Sequence, residues 1–328
     1  MLLHIKNLKI NYKSDNRPVE VVRGIDLDID KGECVGLIGE SGCGKTTAGL
    51  GITKLIPERK GNISAGEILF EGRDVLKLTS EELRCIRGKK ISYVFQEPFS
   101  SLNPVFTIYE QMRESLEEKD NPDSRIAEIL KSVGLEKIID RKNIYPHELS
   151  GGMQQRAMIG MAIAPRPNLL VLDEPTTALD VTVQRQILDL IMELKNKMSL
   201  AILFISHDLR IVFNIADKVA IMYAGKIIEC GPKEKIVSSP AHPYTIGLID
   251  SIPSLKHRKK LFNAIGGRAP LFSELPEGCK FYPRCRFRID KCSEKEPELK
   301  DVSGGQASRC IRTISAELRS ATPIKWNY

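Results

Sequence analysis

Apolar positions along the chain fall first into short, strand-sized runs. Residues 2–12 and 20–30, the second with Val21, Val22, Ile25, Leu27 and Ile29, predict two strands joined by a polar turn at Ser14–Pro18. The apolar run Cys34–Ile38, a glycine-rich stretch and the apolar segment Ala48–Leu55 follow as strand, loop and helix. Further strands are predicted at Gly66–Phe70 and Ile91–Phe95. From Pro98 to about Ala164 the pattern turns helical and charged, with Ile126, Ile129, Leu130 and Val133 at helical spacing. Strand signals return at Leu169–Leu172, Leu200–Ile205, Lys218–Met222 and Lys226–Glu229, and Val181–Met198 reads as a long helix between them. Such alternation predicts an α/β fold around a mostly parallel sheet, with the N-terminal pair as an antiparallel addition. The stretch near 98–164 interrupts the alternation and reads as an inserted helical subdomain. After about Ser251 Pro, Gly, Lys, Arg and clustered Cys replace periodicity, so a boundary is expected near 252, giving domains 1–251 and 252–328.

A chain of 328 residues has room for a large core and a smaller second domain. No apolar run approaches the roughly 18 residues that a membrane span needs. The N-terminus alternates apolar and polar residues without a signal-peptide core, so the cytosol is the expected compartment. In that reducing setting the eight cysteines are expected as free thiols or metal ligands. A net charge of +7 fits nucleic acid, anionic lipid headgroups or an acidic protein surface, and does not choose among them.

Chemistry enters with Gly39-Glu40-Ser41-Gly42-Cys43-Gly44-Lys45-Thr46, a full match to GxxxxGK[ST] placed between a strand and a helix. Glycines let the backbone wrap a polyphosphate, and a helix start supplies unpaired N–H groups and a positive dipole end. Lys45 adds charge toward the β and γ phosphates, and Thr46 is placed to bind Mg²⁺. Leu169-Leu170-Val171-Leu172-Asp173-Glu174 is a buried-strand run ending in two carboxylates, Asp173 suited to the metal and Glu174 to the attacking water. Leu149-Ser150-Gly151-Gly152-Met153 precedes a helix near Gln154, so Ser150, Gly151 and Gly152 make a second anion site, or a plain glycine-rich N-cap.

These motifs in this order resemble the ATP-binding cassette (ABC) ATPases over residues 1 to about 250, joined by Gln96 after a strand, Ala178-Leu179-Asp180 and Ser206-His207-Asp208. The resemblance implies a P-loop ATPase core with an antiparallel β subdomain and a helical insert. It implies nucleotide contacts from Tyr12, Gly39, Ser41, Gly42, Cys43, Gly44, Lys45, Thr46 and Thr47, with Tyr12 stacking on adenine. Thr46, Gln96 and Asp173 would hold Mg²⁺; Glu174, His207, Gln96 and Lys45 would carry the hydrolysis of ATP. Ser150, Gly151 and Gly152 would grip the ATP of a second cassette, so the free chain is expected to bind ATP and hydrolyse it poorly. Met153 stands where the family has glutamine.

A narrower resemblance, to the ATPases of bacterial and archaeal dipeptide and oligopeptide importers, rests on Tyr145-Pro146-His147-Glu148, Asp173–Val181 and Ser239-Pro240-Ala241-His242-Pro243-Tyr244-Thr245. Gln154–Ala162 is more similar to their D-type subunit. This implies an F-type ATPase as heterodimer partner, two membrane permeases, an extracytoplasmic peptide-binding protein, and a place on the cytoplasmic face of the membrane. Nickel and other small solutes are carried by related importers. A soluble cassette acting on nucleic acid or ribosomes is the rival; one cassette, no heptad run and no aromatic–basic interleaving after 252 argue against it, and no nucleic-acid partner is expected.

Cys279, Cys285, Cys292 and Cys310 have the spacing C-x5-C-x6-C-x17-C, which points to a metal site and to no particular metal. Their surroundings resemble the C-terminal extension of peptide-importer ATPases, which implies a [4Fe-4S] cluster, with zinc as the alternative. Cys34, Cys85 and Cys230 read as packing residues. Cys43, near a helix N-terminus, is expected to have a lowered pKa and to react with thiol reagents unless Mg-ATP protects it.

Overall fold

The computed structural model describes residues 1–14, 17–96, 101–116, 121–177, 179–252 and 265–312. The centre of the predicted N-terminal turn, the start of the helical stretch at Pro98, Ala178 and the chain just past the expected boundary at 252 lie outside these residues.

The strands are β1 (Leu3–Tyr12), β2 (Val19–Ile29), β3 (Cys34–Ile38), β4 (Gly61–Phe70), β5 (Arg73–Asp74), β6 (Ile91–Val94), β7 (Leu169–Asp173), β8 (Ala201–Ser206), β9 (Lys218–Tyr223), β10 (Lys226–Pro232), β11 (Lys300–Ser303) and β12 (Gln306–Ser308). The α-helices are α1 (Lys45–Ile52), α2 (Ser80–Ile86), α3 (Ile108–Glu114), α4 (Pro122–Ser132), α5 (Gly151–Ile163), α6 (Val181–Met198), α7 (Leu209–Ile215), α8 (Lys233–Ser238) and α9 (Pro243–Asp250). The chain divides into two compact units.

One unit comprises Met1–Leu2, Ile29–Glu33 and Lys77–Ile205. Within it β6, β7 and β8 run parallel, with Val94 opposite Leu172 and Leu172 opposite Phe204. Every residue of β7 is buried, as a strand covered on both faces requires. The helices α3, α4 and α5 pack on one another, and Gly160 on α5 lets Met112 and Ile129 approach closely. Thr107 caps α3 in a capping box with Glu110, and Asp180 caps α6 by accepting from the Val183 N–H at 2.9 Å.

The other unit comprises Leu3–Asp28, Cys34–Leu76 and Ser206–Tyr328. Here β2, β1, β4 and β5 form one sheet, in which β1 pairs antiparallel with β4. A second sheet orders β11, β12, β10, β9 and β3; β3 and β9 are parallel and the other pairs antiparallel. The C-terminal stretch, expected to be irregular, thus adds two strands beside β10. At four and three residues they are too short to show a period-2 pattern.

Candidate functional site

Two glycines dictate the course of the loop after β3. A Cβ on Gly39 would lie 2.3 Å from the Met222 carbonyl oxygen, and Gly44, the α1 N-cap, has φ +107° with the Val21 carbonyl 2.9 Å from its would-be Cβ. The buried Lys45 ammonium donates to the carbonyls of Gly39 at 2.8 Å and Glu40 at 3.0 Å, which holds its charge on the loop. Ser41 and Thr46 are exposed, Thr47 half-buried, and Gly42, at φ +78°, has open space where a Cβ would stand. Tyr12 ends β1, half-buried and paired with Gly61. His207 is exposed just after β8, where Asp208 caps α7 and is bridged by Arg210.

At the ends of the parallel strands in the other unit, Asp173 is almost fully buried and its Oδ2 accepts from the Tyr93 hydroxyl at 2.8 Å. Glu174 has φ +48°, a left-handed conformation costing on the order of 1 kcal/mol outside glycine. Its N–H donates to the Ile205 carbonyl at 2.9 Å, and its Oε2 accepts from the Thr177 hydroxyl at 3.1 Å and the Gln96 amide at 3.2 Å. The structure therefore brings Gln96 and Glu174 together and holds the glutamate in a conformation it would not choose alone.

Ser150 caps α5, its hydroxyl accepting from the Met153 N–H at 3.4 Å. Gly152 has a packing role as well, since a Cβ there would stand 2.6 Å from Val183 Cγ1. Buried Gln154 donates to the carbonyls of Pro146 at 2.8 Å and Leu149 at 3.2 Å, fixing the turn into the signature.

A family model for ABC transporters matches residues 22–177, and one for the C-terminal region of oligopeptide/dipeptide transporters matches 228–292. The oligopeptide transport ATP-binding protein OppD of Bacillus subtilis is 43% identical, over 92% of this chain and 86% of its own. The dipeptide transport ATP-binding protein DppD of Escherichia coli is 38% identical, over 94% and 96%. The chain belongs to the ABC ATPases of the peptide-transporter family. A solved dimeric ATP-binding cassette, bound to ADP and Pi in a post-hydrolysis state, superposes on this ATPase with a TM-score of 0.63 at 27% identity, covering 71% of this chain and 99% of that one. The α/β P-loop fold expected from the sequence stands, and the OppD and DppD relatives agree with the D-type resemblance.

Several expectations for this ABC ATPase are corrected. Cys279, Cys285, Cys292 and Cys310 do line one small cavity with His242 and Phe281. Yet among the described residues no three or more His, Cys, Asp or Glu are grouped so as to hold a metal ion, so neither a [4Fe-4S] cluster nor zinc is assigned. Burial raises the pKa of Cys279 to about 11 and that of Cys310 to about 12, and raises that of Cys285 as well. The F-type companion finds no support either: the family models and the relatives name none. Cys43 is buried and its pKa is raised, because desolvation outweighs the Lys45 charge and the backbone N–H that favour a thiolate. Cys34 is a packing residue as expected and Cys230 is half-buried, but Cys85 is exposed.

Sequence reasoning missed Tyr93, Thr177 and Gln154 as supports of the site. Tyr93 and Asp173 lie 80 residues apart, and no local pattern joins them. No helix among the described residues is long and apolar enough to cross a membrane.

Proposed function

We propose that this ABC ATPase drives the import of di- or oligopeptides, bound to the cytoplasmic face of two membrane permeases that an extracytoplasmic peptide-binding protein supplies. The match of residues 228–292 to the oligopeptide/dipeptide transporter C-terminal region is the observation that carries this reading. In it the cassette ends near 251 and the remainder is the extension.

The loop residues Gly39, Ser41, Gly42, Cys43 and Gly44 cradle the phosphates by their backbone, with Lys45 balancing charge, Thr46 and Thr47 adding hydroxyls and Tyr12 stacking on the base. Thr46, Gln96 and Asp173 offer hard oxygen donors suited to Mg²⁺. When bound there, the ion would supply positive charge that offsets the negative charge developing on the phosphates. Glu174 orients a water and takes its proton as the water attacks the γ-phosphorus in line, with Gln96 aligning the carboxylate and His207 contacting the γ-phosphate. Ser150, Gly151 and Gly152 close on the ATP of a second cassette, whose own signature completes this loop.

Reconstitution with the permeases and binding protein tests the reading. Peptide-stimulated ATP hydrolysis coupled to peptide uptake is expected; hydrolysis indifferent to every di- and oligopeptide, but stimulated by another solute, overturns it.

A further inference from the structure

The phosphate loop carries an acidic residue, Glu40, where a polyphosphate is to bind, and a residue far along the chain covers it. Arg284, in the turn between Cys279 and Cys285, meets the Glu40 carboxylate in a two-pronged ion pair: Nη1 to Oε2 at 2.8 Å and Nη2 to Oε1 at 2.9 Å. The arginine side chain is only 7% exposed. It is itself fixed, since Nε donates to the Gly266 carbonyl at 2.9 Å and Nη1 to the Tyr223 hydroxyl at 3.3 Å. Phe281, three residues earlier, is buried edge-on against Tyr223 and Tyr244, with ring centroids 5.4 and 5.3 Å away. The Tyr244 hydroxyl accepts from the Glu40 N–H at 3.1 Å, while the Glu40 carbonyl accepts from Lys45. Glu40 is thus held at its amide, its carbonyl and its carboxylate, two of the three by residues beyond 240.

We propose that Arg284 is a positioning residue for nucleotide binding: it neutralises the carboxylate of Glu40 and pins the phosphate loop, so that the C-terminal extension sets the affinity of the ATPase for ATP. The chemistry demands such a device. A carboxylate on a loop built to receive four negative charges repels them, and a buried guanidinium in fork geometry cancels that charge without competing for the phosphates. This inference rests on the reading of residues 39–46 as the phosphate loop.

The test is calorimetric titration of Mg-ATP into the full chain. Arg284→Gln is expected to weaken binding about tenfold, the order of effect that one uncovered charge on the phosphate loop has at an effective dielectric of about 20. The loss should shrink as salt rises, and the double variant Arg284→Gln, Glu40→Gln should recover most of the affinity because the uncovered charge is gone. Arg284→Lys, which keeps the charge, should fall between, and thermal melts of each variant identify folded protein. Wild-type affinity in folded Arg284→Gln, or a loss that Glu40→Gln does not repair, overturns the proposal. Lys45→Ala is the control for the loop itself. If that variant also binds ATP normally, the loop reading fails; if it alone loses ATP, the loop stands and the role of Arg284 falls.

Discussion

The Gln96 side-chain amide donates to the Glu174 carboxylate at 3.2 Å. Register explains the meeting: β6 and β7 are parallel with Val94 opposite Leu172, and each residue lies two positions beyond that pair. Gln96→Ala should therefore leave the binding of metal-free ATP within about twofold while kcat with Mg-ATP falls ten- to about a hundredfold, the scale of a misaligned catalytic group. Titration and steady-state hydrolysis by the assembled transporter read the two separately; an unchanged kcat would remove Gln96 from the catalytic arrangement.

Gly152 answers to two demands that can be separated. A Cβ there meets Val183 at 2.6 Å, so Gly152→Ala should cost about 1–3 kcal/mol of stability, read by urea unfolding. Adding Val183→Ala should restore stability. If the glycine also serves close approach to phosphate, the double variant still hydrolyses ATP slowly once a second cassette is present; full turnover would leave packing as its sole role.

Thiol labelling followed by mass spectrometry should find Cys85 first and Cys43 late, with Mg-ATP making little difference at Cys43. Exposure and a raised pKa at the buried site both point that way. Fast, nucleotide-protected modification of Cys43 would contradict the burial.

Glu229, buried on β10, accepts from the N–H groups of Ala241 at 2.6 Å and His242 at 2.9 Å and from the Gln306 amide at 2.6 Å. Burial pushes its pKa up to about 7 from the ordinary 4.5, although these donors favour the carboxylate. A raised carboxyl pKa means that the unfolded chain ionises first, so stability from this group is full below about pH 4.5 and is lost as pH rises through about 7. Urea unfolding at several pH values should show the wild type losing up to about 3 kcal/mol relative to Glu229→Gln over that interval. A difference independent of pH would place the folded pKa near 4.5.

What the sequence made legible was whatever repeats locally. Val181–Met198 is a helix over the predicted residues because Ile187, Leu190, Ile191 and Leu194 bury at helical spacing behind the Asp180 cap. The phosphate loop and the acidic end of β7 were legible because their chemistry fixes residue types at short spacing. The Tyr93–Asp173 and Arg284–Glu40 contacts were not, since they join residues 80 and 244 positions apart and arise only from strand order and loop packing. At Cys43 the nearby helix start favours a lowered pKa, and the burial that outweighs it leaves no local signal in the sequence. The cysteine spacing, in turn, shows proximity and not ligating geometry, which is why four residues lining one cavity still make no metal site.

The central claim is that Glu174 converts bound ATP into turnover, and one variant tests it most directly. Glu174→Gln keeps the shape and removes the base, so Mg-ATP should bind with wild-type affinity while hydrolysis by the assembled transporter falls at least about a hundredfold. Wild-type hydrolysis by Glu174→Gln would contradict the account.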